Sequence, residues 1–293
     1  MIDRRLIIAQ REGFHFSWMN SAFRDYYREV VVISDAAYPA REDDVLLVNA
    51  FLGDFRHLKC CQKFGILYPG FGFHPYKRPE QFQEMKVLFS EYDAIFCNDG
   101  PVWEAVKRDG TCRHFHLVPF CANSHDFKKT RKRDKFRRII QVAARYEYKG
   151  RHVSKQAMEM MPYEWELIPE EDGEWYVPYE SLPALYQGAD GFIHPNMIGS
   201  PPGCYIDGKY SASTCEAGLS GCIIFWHDAM NLGNDMETVF EISLDPKEIS
   251  EKVQDVVSSI DLDRHSDKTA EEFREKHGIE VVVAAHMRVM SEF

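Results

Sequence analysis

Short apolar runs alternate with amphipathic segments along the whole chain, and this alternation predicts repeated strand–helix units. The runs that predict strands before residue 128 are residues 6–9, 30–34, 45–48, 65–68, 94–97 and 115–118. Those after residue 138 are residues 139–143, 165–168, 191–194, 222–225 and 240–242, with helices predicted near 153–161, 182–187 and 250–260. Strands joined by helices pair in parallel. The predicted fold class is therefore α/β, with two Rossmann-like domains that face each other across a cleft.

A strongly basic segment separates the two sets of strands. Residues 128–138, which begin at Lys128 and end at Arg138, carry eight basic side chains and one acidic one. We therefore predict an N-terminal domain at residues 1–127, a linker at 128–138 and a C-terminal domain at 139–293, whose last helix is a candidate to pack back on the first domain. The segment is either a solvated connector or an anchor for a polyanion, which would be the DNA backbone or an anionic lipid surface.

Composition and charge narrow the class of protein. The 293 residues are 45% hydrophobic, which is enough for extensive cores, and the net charge of -11 argues against a protein that coats nucleic acid over its whole surface. The longest apolar runs are far shorter than the ~20 residues that span a bilayer. The first residues carry no secretory apolar segment, so no transmembrane segment is predicted and a cytoplasmic location is expected.

Several common catalytic motifs are missing from the sequence. The predicted first strand is followed by AQREGF at residues 9–14, so it lacks the glycine fingerprint of a dinucleotide-binding site. The sequence has no Walker A motif, no nucleophile elbow and no His-Glu-x-x-His. Its eight cysteines show no Cys-x-x-Cys spacing, so no metal site is predicted. Hydride transfer, P-loop chemistry, serine hydrolysis and zinc proteolysis are left without support.

The most informative stretch predicts a strand, a loop, a short helix and a second strand over residues 191–225. Such a unit places Glu216 in the first turn of a helix that faces the carboxyl ends of a parallel sheet. Open α/β folds bind ligands at that edge, and the amides of a helix N-terminus favour phosphate. The predicted geometry suits a nucleotide-sugar.

Three segments of the C-terminal half resemble motifs of GT-B glycosyltransferases, especially family 4. They are VAARYEYKG at residues 142–150, VPYESLPALYQGAD at 177–190 and STCEAGLSG at 213–221. Residues 117–127 are also similar to the segment that closes the N-terminal domain of that family. The resemblance implies an enzyme that is nucleotide-sugar dependent and retaining, with the donor held by the C-terminal domain and the acceptor by the N-terminal one. It implies no metal and no cofactor beyond the nucleotide-sugar co-substrate.

The candidate site residues follow from these motifs and from the chemistry of sugar transfer. Negative charge builds on the leaving β-phosphate, and fixed cations in a cleft stabilise it. The candidate catalytic residues are Arg145, Lys149 and His74, of which His74 titrates near neutrality. Glu216 is placed to accept hydrogen bonds from both ribose hydroxyls. The full set of candidate donor-binding residues is Glu216, Thr214, Ser213, Asn196, Asp207 and Val177.

The residues predicted to face the acceptor, and one position where the sequence departs from the family pattern, each have two interpretations. Phe73 and Gly72, in the loop 68–75, and Asp99, after the predicted strand 94–97, are either acceptor-facing residues or parts of ordinary turns. Family members usually carry a second glutamate eight positions before the one that matches Glu216. The chain has Gly208 there, and Asp207 is either its substitute or a turn residue.

The predicted function is the transfer of a sugar from a nucleotide-sugar donor to the hydroxyl of an acceptor that the sequence does not identify. Two alternatives remain. The basic segment keeps open a DNA-modifying glycosyltransferase that acts on hydroxylated bases, and the missing second glutamate keeps open a degenerate GT-B protein that binds a sugar nucleotide without catalysis.

Overall fold

The computed structural model describes residues 1–11, 17–49, 52–67, 79–98, 100–110, 112–169, 177–197, 209–229 and 233–293. Contacts divide the chain into two compact units. The first unit comprises Met1–Pro119 and Ile279–Phe293, and the second comprises Phe120–Gly278.

The first unit is built on a six-stranded parallel sheet. Its strands are β1 (Ile2–Ala9), β2 (Tyr27–Ile33), β3 (Val45–Asn49), β4 (Gln62–Leu67), β5 (Ala94–Cys97) and β6 (Phe115–Leu117). They lie in the order β2-β1-β3-β4-β5-β6. The central strands are apolar and almost wholly buried, as expected for a parallel sheet covered on both faces. The strand order reverses between β1 and β3, which makes their carboxyl ends the topological switch point of this sheet.

Helices from both ends of the chain complete the first unit. The described helices are α1 (Leu52–Phe55), α2 (Pro79–Phe89) and α3 (Gly100–Asp109), with a 3-10 helix at Ser17–Asp25 and, from the C-terminus, α9 (Ile279–Met290). The side chain of His286 in α9 packs against Phe96 of β5 and Phe23 of the 3-10 helix, with ring centroids 4.4 and 6.3 Å apart. Burial lowers the pKa of His286 to about 4, so this ring is a neutral part of the core.

The second unit contains a five-stranded parallel sheet. Its strands are β7 (Arg138–Val142), β8 (Glu164–Ile168), β9 (Gly191–His194), β10 (Ile223–Trp226) and β11 (Val239–Glu241), in the order β11-β10-β9-β7-β8. The helices described around it are α4 (Arg151–Glu159), α5 (Leu182–Gly188), α6 (Ala212–Leu219), α7 (Pro246–Ser259) and α8 (Leu262–His277). The switch point of this sheet lies between β7 and β9.

Close packing between α6 and α8 depends on a glycine. A Cβ on Gly218 would lie 2.3 Å from the ring of Phe273 in α8, so only a residue without a side chain lets the two helices approach this closely.

Caps fix the starts of α7 and α8, because Asp245 accepts from the backbone N–H of Lys247 and Asp261 from that of Arg264.

The observed strands confirm the predicted α/β pattern, since each of the eleven predicted runs overlaps one of the strands in the described parts of the chain. The basic segment differs from its prediction as a linker. Residues 128–138 lie wholly inside the second unit, and the division between the units falls at Pro119 and Phe120 instead.

Ion pairs and buried hydrogen bonds hold the basic segment in place. Lys129 bridges Asp263 and Asp267 of α8, and Arg131 pairs with the buried Asp190. Arg133 is 1% exposed. Its guanidinium donates to the carbonyls of Tyr186, Ala189 and Ser220 and to the hydroxyl of Ser266. Since these side chains are held by partners within the unit, the segment is a structural element of the second domain.

Two other classes of site have no candidate among the described residues. No helix among them is long and apolar enough to cross a membrane. No cluster of three or more His, Cys, Asp or Glu side chains suited to a metal ion occurs in the described parts of the chain.

Candidate active site

The carboxyl ends of β7 and β9 bring the main sequence motifs of the second unit together. Ile140 pairs with Phe192, so Val142 and His194 stand at the same level of neighbouring strands. The chain after β7 carries Arg145 and Lys149, and the chain after β9 carries Asn196. Both segments therefore begin at the switch point of the sheet, where open α/β folds bind ligands.

The loop after β7 touches the segment after β9 directly. The backbone N–H of Met197 donates to the carbonyl of Tyr148 over 2.8 Å. Gly150 has φ +62°, and a Cβ on it would lie 2.0 Å from the carbonyl oxygen of Pro195. This position requires glycine for both its backbone conformation and the close approach. Lys149 is thereby held two residues before the first residue of α4.

Two cationic side chains lie in this loop. Arg145 and Lys149 are half-buried, and the Lys149 Nζ lies 5.3 Å from the ring centroid of Tyr148. Gly150 has no side chain that could cap α4. No capping side chain therefore competes with a ligand for the N–H groups of the first helical turn. A helix N-terminus with two adjacent cations is suited to bind a phosphate group.

A hydroxyl cluster fixes the start of α6 against the end of β9. Ser211 is the N-cap of α6, and its Oγ accepts from the Thr214 N–H. The His194 Nδ1 lies 2.9 Å from the Thr214 Oγ1 and 3.0 Å from the Ser211 Oγ. The Ser213 Oγ lies 3.0 Å from the Ser211 Oγ. Thr214 is fully buried, whereas Ser213 is half-buried, so only Ser213 presents its hydroxyl near the surface of this cluster.

Glu216 lies deeper in α6 than the sequence predicted. Because α6 begins at Ala212, Glu216 belongs to the second helical turn, and the first turn of the helix contains no acidic residue. The prediction of a first-turn glutamate was wrong since the helix begins right after its Ser211 cap. The Tyr186 hydroxyl donates to the Glu216 Oε2 over 3.1 Å. Burial raises the pKa of Glu216 to about 8 despite this hydrogen bond.

Two further predicted residues line the same region. Asn196 is 2% exposed, and its Oδ1 has no hydrogen-bond partner within the described chain. Its carbonyl accepts from the His227 Nδ1 over 2.8 Å, which ties the segment after β9 to the segment after β10. Val177 is half-buried and packs against the apolar cluster around Tyr186, the residue that contacts Glu216.

Of the predicted residues, seven lie in described parts of the second unit, namely Arg145, Lys149, Glu216, Thr214, Ser213, Asn196 and Val177. The predicted residues His74, Phe73, Gly72, Asp99 and Asp207 lie outside the described residues, as does Gly208.

Three polar residues that support the site were not predicted. His194 joins β9 to α6, and Tyr186 is the described partner of the Glu216 carboxyl. Arg151, buried in the first turn of α4, donates to the carbonyls of Ala143, Ile168 and Pro169. One signal was available for His194, because it is the one polar residue in an otherwise apolar strand and stands at its carboxyl end.

Comparisons with known proteins find similarity in structure. No family model matches the chain, and no curated protein matches its sequence. The chain is similar to HepE of Anabaena, solved in complex with UDP and glucose, with a TM-score of 0.69 at 11% identity, covering 99% of this chain and 100% of that one. It is also similar to an α,α-trehalose-phosphate synthase (UDP-forming) from Burkholderia vietnamiensis, with a TM-score of 0.69 at 9% identity over 100% and 99% of the two chains.

A third similar structure is TarM of S. aureus, with a TM-score of 0.60 at 10% identity, covering 85% of this chain and 55% of that one. At these identities the similarity shows the fold. The chain therefore has two Rossmann-like α/β domains of the GT-B type, as the sequence predicted.

Proposed function

We propose that the chain is a glycosyltransferase that binds a nucleotide-sugar donor at the carboxyl edge of the second sheet and transfers its sugar to an acceptor hydroxyl. The observation that carries this proposal is that Arg145, Lys149 and the start of α4 follow β7, while α6, the helix of Glu216, is hydrogen-bonded through Thr214 to His194 at the carboxyl end of the neighbouring strand β9. This set combines groups that suit a diphosphate with a carboxyl that suits a ribose.

The cations act on the leaving group in this proposal. The bond between the anomeric carbon and the β-phosphate oxygen breaks, and the anomeric carbon forms a bond to the acceptor oxygen. The acceptor hydroxyl loses its proton to the departing phosphate or to solvent. Arg145, Lys149 and the amides of α4 stabilise the charge that grows on the diphosphate, and this interaction is strongest in the transition state.

Glu216 changes its protonation state on donor binding in this proposal. With a pKa of about 8, its carboxyl is mostly protonated at neutral pH. Two ribose hydroxyls that donate to it would favour the ionised form and lower that pKa. The donor therefore binds with release of a proton near neutral pH, while Tyr186 keeps its hydrogen bond to the Oε2.

The comparisons support a nucleotide-sugar donor and are compatible with UDP, since HepE was solved in complex with UDP-glucose and the trehalose-phosphate synthase is described as UDP-forming. The motifs around Arg145 and Glu216 further support membership of family 4, and with it retention of the anomeric configuration. We include both in the proposal.

The basic segment gives little support to a DNA acceptor. Lys129, Arg131 and Arg133 make contacts within the second unit, and Arg138 pairs with Glu166, so half of the eight basic side chains are already engaged. The proposed acceptor is accordingly a sugar or another hydroxyl compound.

A panel of UDP-, GDP- and ADP-sugars tests the proposed function. We expect one nucleotide class to bind, measured by calorimetry, and slow release of its diphosphate without any acceptor, measured by coupled assay. An inactive binder would show affinity with no release under any condition. A chain that bound none of the nucleotides or nucleotide-sugars would contradict the proposal.

A further inference from the structure

A glutamine lies among apolar residues in β7, an inner strand of the second sheet. Gln141 is 0% exposed, and its neighbours Ile140 and Val142 belong to an apolar core cluster. Side chains alternate between the two faces of a strand, so Gln141 shares a face with Ile139. That residue packs in the same apolar cluster as Val153 of α4. The amide of Gln141 therefore lies on the side of the sheet that α4 covers.

The side chain of Gln141 reaches the loop that follows its own strand. Its Nε2 donates to the backbone carbonyl of Lys149 over 2.7 Å. Its Oε1 is buried and has no hydrogen-bond partner among the residues that the structure describes. A buried polar atom without a partner destabilises the folded state. Stability alone would favour an apolar residue of similar size at position 141, so we looked for a role in the contact with Lys149.

Two backbone hydrogen bonds hold the same short segment. The N–H of Lys149 donates to the carbonyl of Tyr146 over 3.0 Å, and the N–H of Met197 donates to the carbonyl of Tyr148 over 2.8 Å. The backbone around Lys149 is thus held from one side by Gln141, within β7, and from the other by Met197, which follows β9. Both strands at the switch point of the sheet set its position.

The reach of Lys149 depends on where its backbone is held. Its ammonium stands on a flexible side chain, so the position of the backbone decides which groups the Nζ can meet. In the proposed reaction the Nζ stabilises charge on the leaving diphosphate, and an error of ~1 Å in the position of such a group can cost about 10²-fold in rate. A hydrogen bond from the buried strand to the Lys149 carbonyl therefore bears on turnover.

We infer that Gln141 is a positioning residue, which holds the backbone of Lys149 at the carboxyl end of β7 so that the ammonium meets the leaving diphosphate. Gln141 is buried and acts through Lys149. The inference rests on the proposed function, because Lys149 stabilises a leaving group only if the chain transfers a sugar from a nucleotide.

A double-mutant cycle tests whether Gln141 acts through Lys149. Gln141→Met keeps the length of the side chain and removes the donor. We expect it to lower kcat about tenfold and to change KM less than about threefold, because the interaction of Lys149 grows in the transition state. In the Lys149→Ala background we expect the same substitution to change kcat less than about twofold. The assay follows release of diphosphate from UDP-glucose, or from GDP- or ADP-glucose if one of these reacts faster.

The matched control is Gln254→Met, the same substitution in α7, where the amide donates to the hydroxyl of Ser250 over 3.1 Å. It should keep the kcat of its parent in both backgrounds. The melting temperature of each variant reports on its fold. Should Gln141→Met fail to fold, Gln141→Leu is expected to show the same pattern, since leucine also lacks the donor.

Three results with an active wild-type chain would overturn the inference alone. The first is a folded Gln141→Met variant that retains more than half of wild-type kcat. The second is an equal loss of kcat in both backgrounds, which would mean that Gln141 supports the unit as a whole and not Lys149 in particular. The third is a change confined to KM. A wild-type chain that bound none of the nucleotides would instead overturn the proposed function, and this inference with it.

Discussion

The two parallel sheets of this molecule have the same kind of switch point, but the chemistry at their carboxyl edges differs. The edge of the second sheet carries Arg145, Lys149 and the ionisable Glu216, whereas the edge of the first sheet carries the amides Gln10, just after β1, and Asn49, at the end of β3. The same backbone geometry thus presents charges in one unit and neutral hydrogen-bonding groups in the other. In a sugar transfer, charge develops on the nucleotide, so the charged edge of the second sheet suits the donor half of the proposed reaction.

The largest effect should come from removing the cations of the second edge. We expect Arg145→Ala and Lys149→Ala each to lower turnover about 10²- to 10³-fold with a smaller change in donor affinity, because their interaction grows as charge develops. Lys252→Ala, on the exposed face of α7, is the control and should keep wild-type turnover. An alanine variant that retained more than half of wild-type turnover would remove its residue from the proposed mechanism.

The next effect separates structural charge from edge charge within the second unit. We expect Arg133→Met to lower the free energy of unfolding by about 2–4 kcal/mol, because it leaves several buried carbonyls without their donor. Lys135→Met, in the same segment but exposed, should change it by less than ~0.5 kcal/mol. Denaturant unfolding measures both. Equal stability of the two variants would mean that the basic segment is a solvated connector after all.

A smaller effect concerns the carboxyl at the second edge. We expect Glu216→Ala to weaken binding of UDP-glucose by about tenfold to a hundredfold, which corresponds to the 1.5–3 kcal/mol of a charge-assisted hydrogen bond. Calorimetry in buffers of different ionisation enthalpy should show proton release at pH 7 for the wild-type chain and none for Glu216→Gln. Unchanged affinity in the alanine variant would remove Glu216 from the ribose site.

The last effect is a pH dependence of stability. The pKa of Glu216 is raised from its ordinary 4.5 to about 8 in the folded chain. Between pH 4.5 and pH 8 the folded chain therefore keeps a proton on this carboxyl, whereas the unfolded chain has lost it. The contribution to stability is therefore present at low pH and is lost as pH rises towards 8. We expect the melting temperature of the wild-type chain to fall relative to that of Glu216→Gln between pH 5.5 and 8.5. A constant difference would mean that the carboxyl is already ionised at neutral pH.

The alternation of apolar and amphipathic segments was sufficient to predict the strands of both sheets, because buried parallel strands are short, continuous and apolar. The positions of Arg145 and Lys149 just after β7 were also predictable, since their motif follows the carboxyl end of a predicted strand. The role of residues 128–138 was not, because the acidic partners of Lys129 lie more than a hundred residues away in α8 and the carbonyls that accept from Arg133 lie 53 to 87 residues away. The burial of Glu216 was not predicted, because it depends on where α6 begins. The Ser211 cap starts the helix early enough to put Glu216 in the second turn.

The return of α9 to the first unit affects how the chain is made on the ribosome. The aromatic rings of Phe23 and Phe96 emerge early, but His286, which packs on both, emerges only after all of residues 120–278. At ~5–20 residues per second this delay is on the order of 10 to 30 s. The second unit can fold during that time, whereas the first waits with part of its apolar interior uncovered. Nascent-chain lengths that stop before α9 are therefore the ones on which we expect chaperones to bind the first unit.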